Sequence, residues 1–259
     1  MRSVAQIIVN RKSFVRILAL CAMKEETDHL RKQLEYNNFL LTPDDMLFRN
    51  GLIVNVKTTG IGMVNSAANS SLHIRDMKPD IVINVGCAGA HIPSLEKGDV
   101  VVCESQVGTT SVIAKEYETL PYGDRELSQP LFFSDETLIG MARKSGAELI
   151  KWNNARRYPL ITTGRVASSD TWTDSAAGVE KLHKLFGTLC EDMEASAIAH
   201  VSAANGIPFL SVKDVSNSVF LEQSTDTFDA VEHSVPHLAG MNAASVAAKT
   251  LRDLSFMTG

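Results

Sequence analysis

The sequence predicts an α/β protein with a mainly parallel sheet and helices on both of its faces. Three observations carry this. Short apolar runs of strand length alternate with longer segments of helical spacing. The strand-like runs end in glycine-rich or polar turns rather than in tight hairpins. With 259 residues, 44% hydrophobic and 21% charged, the chain can bury one large core.

The first strand is expected at Ile17–Cys21, a continuous apolar run. Lys24 to Leu34 follows as a helix on the spacing of Leu30 and Leu34. Leu52 to Thr58 alternates as a strand and ends at Gly60-Ile61-Gly62, after which Met63 to Met77, rich in Ala, Ser and Asn, reads as a helix. Ile81 to Val85 and Val100 to Cys103 are apolar strands. Thr137 to Ser145 reads as a helix, Leu160 to Thr163 as a strand, and Ala176 to Phe186 as a helix. Met193 to Asn205 is expected to be helical, Phe209 to Val215 a strand, and Val235 to Leu254 a final amphipathic helix. No linker, repeat or low-complexity tract interrupts the pattern, so residues 17–259 are expected to form a single domain after an N-terminal extension, residues 1–16.

Composition narrows the function. The net charge is −5 and no basic stripe occurs, which argues against nucleic acid as a partner. No run of about 18 apolar residues is present, so no membrane-spanning segment is expected. Arg11 and Lys12 interrupt the short apolar patch at Val4 to Val9, which is unlike a secretory signal. The absence of acids before Glu25 leaves a transit-type leader as the alternative to a plain extension. Cys21, Cys87, Cys103 and Cys190 are widely spaced and show no metal-ligand pattern, consistent with reduced thiols in the cytoplasm.

In open α/β sheets, ligands bind beyond the carboxyl ends of the strands. Those ends carry Ala22-Met23-Lys24-Glu25-Glu26, Gly60-Ile61-Gly62, Gly86-Cys87-Ala88-Gly89-Ala90, Ser168-Ser169-Asp170-Thr171-Trp172 and Lys213-Asp214-Val215-Ser216-Asn217. The most informative stretch is Cys190-Glu191-Asp192-Met193-Glu194, which leads into the small-residue run Ala195-Ser196-Ala197-Ile198-Ala199. Carboxylates beside a buried helix cost solvation energy unless donors meet them, and the two hydroxyls of a ribose are suitable donors. Acids at a helix start also complement the helix dipole, so this stretch alone does not settle a role. Glycines, acids, an aromatic ring and an amide at one end of a sheet fit a nucleoside pocket. Neither glycine pair completes a dinucleotide fingerprint, since Asn65 stands at the third glycine's place after Gly60 and Gly62, and no Gly-Lys-Ser/Thr phosphate loop occurs.

Together these residues resemble the nucleoside phosphorylase and nucleosidase superfamily, and most closely its methylthioadenosine/S-adenosylhomocysteine nucleosidases. The resemblance runs from about Ile17 to Leu254. It is carried by Ala22-Met23-Lys24-Glu25-Glu26, Thr59-Gly60-Ile61-Gly62, the stretch from Lys78 to Gly89, Ser168 to Trp172, and Glu191 to Val201. It implies a three-layer αβα sandwich with a mixed central sheet, a homodimer or higher homo-oligomer, a purine nucleoside as small-molecule partner, and no cofactor or metal.

It also implies roles. Glu194 binds the ribose hydroxyls, with Met193 beside the sugar. Glu26 orients the attacking water. Trp172 stacks on the purine and the backbone of Thr173 reads its edge, in a base pocket with Ala88, Gly89, Asp192 and Ser216. Met23 and Phe228 cover the 5′ group.

One position departs from the pattern. Asn217 stands where the nucleosidases place the aspartate that protonates N7 of the leaving adenine, and an amide donates a hydrogen bond but transfers no proton. Four alternatives follow: a 6-oxopurine substrate of inosine, guanosine or futalosine type; Asp214 as substitute acid, although strand alternation puts it on the face opposite Lys213 and Val215; slow turnover of adenosine derivatives; or a near-isosteric exchange that silences the acid. The family's arginine is also replaced, by Lys213. Phosphorolysis is the competing reaction. It needs positive charge for phosphate, and the corresponding places hold Lys24 to Glu26 and Asn84. A non-catalytic nucleoside-binding protein is the remaining alternative.

Overall fold

A computed structural model describes residues 3–10, 14–109, 112–114, 119–121, 131–152, 155–220 and 238–258. In chain order the elements are α1 (Val4–Asn10), β1 (Val15–Cys21), α2 (Lys24–Tyr36), β2 (Leu40–Leu41), β3 (Leu47–Arg49), β4 (Leu52–Thr58), α3 (Met63–Met77), β5 (Ile81–Ala90), β6 (Val100–Gly108), β7 (Val112–Ala114) and β8 (Thr119–Pro121). They continue with β9 (Leu131–Phe133), α4 (Glu136–Arg143), β10 (Ile161–Ser168), α5 (Ala176–Phe186), β11 (Thr188–Asp192), α6 (Ala195–Ala204), β12 (Phe209–Ser218) and α7 (Met241–Thr258).

The central sheet runs β11-β10-β6-β12-β5-β1-β4-β3-β2, with β9 added to β6. The inner pairs β4–β1–β5–β12 and β6–β10–β11 are parallel, whereas β12–β6, β3–β4 and β2–β3 are antiparallel. The sheet is therefore mixed. β11 also returns to the far end of β5, where Cys190 pairs with Ala90 and Glu191 with Gly89. Half of the sheet thus curls into a closed ring of β5, β12, β6, β10 and β11.

The alternation of apolar runs explains the layers. β1 is buried at every position except Arg16, as a strand covered on both faces must be. One face carries the larger cluster, in which Ile17, Ala19, Ile83 and Val85 pack with Leu30 and Leu34 of α2 and with Ala243, Val246, Leu251 and Leu254 of α7. The other face carries Leu18, Leu20 and Val82, which pack with Ile74 of α3 and Ile198 of α6. Val4 of α1 is buried within the first cluster, and its backbone N–H donates to Asp135.

Several boundaries differ from the sequence reading. β5, β10 and β12 extend past their apolar runs to Ala90, Ser168 and Ser218, because neighbouring strands continue the hydrogen-bond ladder beyond the last apolar residue. The helix expected from Met193 begins at Ala195. The residues before it form β11, whose sequence Thr-Leu-Cys-Glu-Asp is too short and polar to announce a strand. The last helix runs to Thr258 and begins at Met241; residues 235–237 lie outside those described. Among the described residues no helix is long and apolar enough to cross a membrane.

Candidate functional site

The carboxyl ends of β1, β5, β10, β11 and β12 converge on a group of buried acids. Glu26 sits in the first turn of α2, directly after β1, and is 2% exposed. Its Oε2 accepts from the backbone N–H groups of Ala22 (2.9 Å) and Met23 (3.1 Å), and its Oε1 accepts from that of Cys87 (2.9 Å). The carboxylate thereby ties the end of β1 to the end of β5. Gly86 makes this possible, since a Cβ there would stand 2.5 Å from Glu26 Oε1.

Glu194 starts α6 but does not cap it; its carboxylate turns across to α3. Oε1 accepts from the N–H of Gly62 at 3.0 Å, and Oε2 from that of Met193 at 3.3 Å. Gly62 holds φ +98°, a backbone conformation that favours glycine, and its missing side chain leaves room for Asp170 Oδ1. Asp170 accepts from Met63 N at 2.6 Å, so two acids from distant segments meet the amino end of α3. Burial, and then the neighbouring Asp192 carboxylate, push Glu194 up to about 7.

Asp192, expected among the purine-binding residues, directs its oxygens inward. Oδ1 accepts from Ser168 Oγ at 2.5 Å, and Oδ2 accepts from Ala195 N at 3.0 Å and from Lys213 Nζ at 2.8 Å. It therefore supplies the cap for α6 that Glu194 does not. Lys213 is 1% exposed. Burial works against its charge, but Asp192, Glu194 and Glu26 outweigh burial and raise its pKa above the usual lysine value. Lys213 thus pairs directly with Asp192 and is further stabilised in its charged form by the Glu194 and Glu26 carboxylates.

Asp214 lies on the other face of β12, as strand alternation requires. Its oxygens accept from the backbone N–H groups of Gly240 (2.8 Å), Asn242 (2.9 Å) and Ala243 (3.3 Å), at the start of α7. Burial pushes its carboxyl up to about 7. The group is committed to the helix terminus.

Asn217 is half-buried. Its Oδ1 accepts from Ser216 Oγ at 3.0 Å, which leaves the NH₂ group as the free end of the amide. That NH₂ faces Gly89, where a Cβ would stand 2.9 Å from Nδ2. Ala88 and Gly89 are buried in the same stretch of β5. Trp172 is 50% exposed on the loop after β10. Thr173 beside it donates from both its N–H and its hydroxyl to Glu191, each at 2.9 Å. Met23 and Met193 are half-buried next to Glu26 and Glu194. Phe228 lies outside the described residues.

This arrangement can hold a sugar diol against Glu194, keep a water molecule on Glu26, and present an amide donor to a base above Gly89. The model of the phosphorylase superfamily matches residues 16–252. The chain belongs to that superfamily. A 5′-methylthioadenosine/S-adenosylhomocysteine nucleosidase from Geobacillus is 30% identical over 231 residues, which covers 85% of this chain and 94% of that protein. Among solved structures, the nucleosidase of the same name from Neisseria meningitidis, bound to methylthio-immucillin-A, matches with TM-score 0.69 and 25% identity over 92% of this chain and 99% of its own. The futalosine hydrolase of Helicobacter pylori shares the fold, with TM-score 0.71 and 20% identity over 92% and 98% of the two chains.

The sheet end of this chain also gathers four residues to which the sequence reading gave no role: Asp170, Ser168, His91 and Glu191. Asp170 and Glu191 lay in stretches already singled out, and an acid among glycines and hydroxyls was the available signal. Ser168 lay in such a stretch too, but its hydroxyl gave no signal of its own, and His91 carried none, because a lone histidine beside an apolar run is ordinary core material.

Proposed function

We propose that this chain is a purine nucleosidase that hydrolyses the N-glycosidic bond, with 5′-methylthioadenosine and S-adenosylhomocysteine as the substrates its relatives support. Bond cleavage builds positive charge on the ribose and negative charge on the leaving base. Glu194 accepts from the ribose hydroxyls, and its negative charge favours the cationic sugar. Glu26 accepts a proton from the attacking water. Asn217 donates to the leaving base.

The observation that carries hydrolysis over phosphorolysis is the carboxylate of Glu26, fixed by three backbone N–H groups where a phosphate would have to approach. Nearby cationic help is missing from the two places considered. Lys24 is exposed and paired with Asp28. Asn84 is wholly engaged in the core, donating to Leu20 O and accepting from Ser211 Oγ. Base release in phosphate-free buffer should therefore equal that in phosphate buffer, with a free 5′-substituted ribose as product. A sugar 1-phosphate, with little turnover in the absence of phosphate, would make the chain a phosphorylase. Binding without release of base would make it a nucleoside-binding protein.

A second reading, a 6-oxopurine nucleoside, is favoured by Asn217. An amide cannot transfer a proton to N7, and 6-oxopurines depart more easily as anions. Asn217→Asp should raise turnover of adenosine derivatives about 10-fold or more, within the usual range for an acid catalyst. An unchanged ratio of adenine to hypoxanthine release in that variant removes Asn217 from the leaving-group step. The free state of Cys21, Cys87, Cys103 and Cys190 supports a reducing, cytoplasmic location, and we place the chain as a homo-oligomer by analogy with its superfamily.

A further inference from the structure

We infer that Asp214 is a positioning residue, which acts through Gly240 to hold the Glu26 carboxylate where it meets the attacking water. The inference rests on the nucleosidase reading and deepens the role given there to Glu26. Its starting point is the confinement of Glu26 between two glycines. Gly86 stands behind the carboxylate, where a Cβ would lie 2.5 Å from Oε1. Gly240 stands against the stem, where a Cβ would lie 3.0 Å from Glu26 Cγ and 3.5 Å from its Cβ. Neither contact leaves room for a side chain, so Glu26 moves when either glycine moves.

The two glycines have different supports. Gly86 lies within β5, where the sheet fixes it. Gly240 lies outside any element, with φ +81°, and its carbonyl accepts the first bond of α7, from Ala244 N at 2.8 Å. A helix start leaves N–H groups without partners, and the residue at this position usually supplies the acceptor from its own side chain. Glycine has none. Asp214 supplies it from β12 instead: Oδ1 takes Gly240 N at 2.8 Å, and Oδ2 takes Asn242 N at 2.9 Å and Ala243 N at 3.3 Å.

This cap is tied to Glu26 a second time. Asp214 and Cys87 are register partners in the parallel ladder of β12 and β5. Cys87 N–H donates to Glu26 Oε1 at 2.9 Å. One rung of the sheet therefore reaches Glu26 by two routes, through Cys87 to the carboxylate and through Asp214 and Gly240 to the stem. Asp214 is fully buried, so its negative charge depends on the three N–H groups it holds. An asparagine there keeps one acceptor end and turns an NH₂ towards the remaining N–H groups. Either Gly240 or the pair Asn242 and Ala243 then loses its acceptor, and the turn that seats Gly240 on Glu26 shifts.

The test is a double-mutant cycle of Asp214→Asn with Glu26→Gln, read as base release from 5′-methylthioadenosine in phosphate-free buffer, with thermal melts to check folding. Asp214→Asn alone should lower kcat at least about 10-fold, as displaced catalytic groups do, with KM within about 3-fold of wild type. In the Glu26→Gln background the same substitution should cost less than about 2-fold, because the base it positions is already gone. An equal loss in both backgrounds, or wild-type kcat in folded Asp214→Asn, overturns the inference. Should Asp214→Asn fail to fold, Gly240→Ala enters the same cycle with the same expectations, since its Cβ presses on Glu26 while Asp214 stays intact. Amide hydrogen exchange gives a readout without substrate. Asp214→Asn, or Gly240→Ala in its place, should speed exchange at Ala22, Met23 and Cys87, the donors to Glu26. Acceleration confined to residues 240–243 would reduce Asp214 to a helix cap and overturns the inference. A wild type that releases no base removes the nucleosidase reading, and the exchange pattern still decides whether Asp214 positions Glu26.

Discussion

Glu194→Ala is expected to abolish nucleoside turnover. The carboxylate is buried at the sheet end and, unlike that of Asp192, is not paired with a lysine; its two partners are the N–H groups of Gly62 and Met193. Removing a charged acceptor from two hydroxyls costs ~3 kcal/mol or more, which lowers kcat/KM by at least about two orders of magnitude. The variant also leaves Gly62 N–H without its acceptor at the start of α3, so Glu194→Gln is the cleaner comparison. It keeps an acceptor for Gly62 and removes the charge. Wild-type kcat/KM in both variants would show that the ribose is bound elsewhere.

The same residue sets a pH dependence. Burial, and then Asp192, raise the folded-state pKa of Glu194 from 4.5 to about 7. In the proposed role, the ionised form is the one that accepts from ribose hydroxyls. In the free enzyme kcat/KM should therefore rise with pH through about 7 and level off above it, and this step should vanish in Glu194→Gln. Stability runs the other way. Between 4.5 and 7 the folded state binds the proton more tightly than the unfolded chain, so this group's contribution falls as pH rises through that window. Melting temperatures of wild type and Glu194→Gln should diverge across it, the wild type losing more stability towards neutral pH.

The legible and illegible parts of this site differ in kind. Glu194 and Glu26 stand out in the sequence because an acid next to a strand end or a small-residue helix has no local reason to be buried. The main strands are equally visible, since β1, β5 and β12 are apolar runs with turn residues after them. What one dimension does not encode is the closing pair β11–β5, a contact between residues about a hundred positions apart. Without it Glu191 is simply an acid near a helix start; with it, Glu191 is a neighbour of Gly89 and, one strand further, of Asn217. The distribution of labour among Asp192, Glu194 and Asp170 is hidden for the same reason. All three precede or follow turns. Only the fold determines that Asp192 caps its own helix and pairs with Lys213, while Glu194 and Asp170 serve the start of α3. Asp214 shows the opposite case, in which a period-2 argument from sequence places a side chain on the correct face before any coordinates are known.

Glu26→Gln is expected to lower kcat by about 10²–10⁴ with a smaller change in KM, the range for loss of a general base. The geometry makes the substitution informative. Both carboxylate oxygens accept from backbone donors, Oε2 from Ala22 and Met23 and Oε1 from Cys87. A glutamine keeps only one acceptor end. Its NH₂ must confront either the pair of N–H groups at the end of β1 or the one at the end of β5, so the tie between the two strands weakens as the base is lost. A second variant separates these effects. Gly86→Ala leaves Glu26 chemically intact, but its Cβ would stand 2.5 Å from Oε1, and the carboxylate must shift. A misplacement of about 1 Å can cost about 10²-fold in rate. If proton acceptance from water is the role of Glu26, Gly86→Ala should therefore lose activity through kcat while keeping the acid. Added azide or formate, small anions able to act as bases, should restore part of the rate in Glu26→Ala and none in Gly86→Ala, where the glutamate still fills the space. Near-wild-type kcat in Glu26→Gln, measured as base release under saturating nucleoside, would remove Glu26 from the water-activating step and reduce it to the joint between β1 and β5.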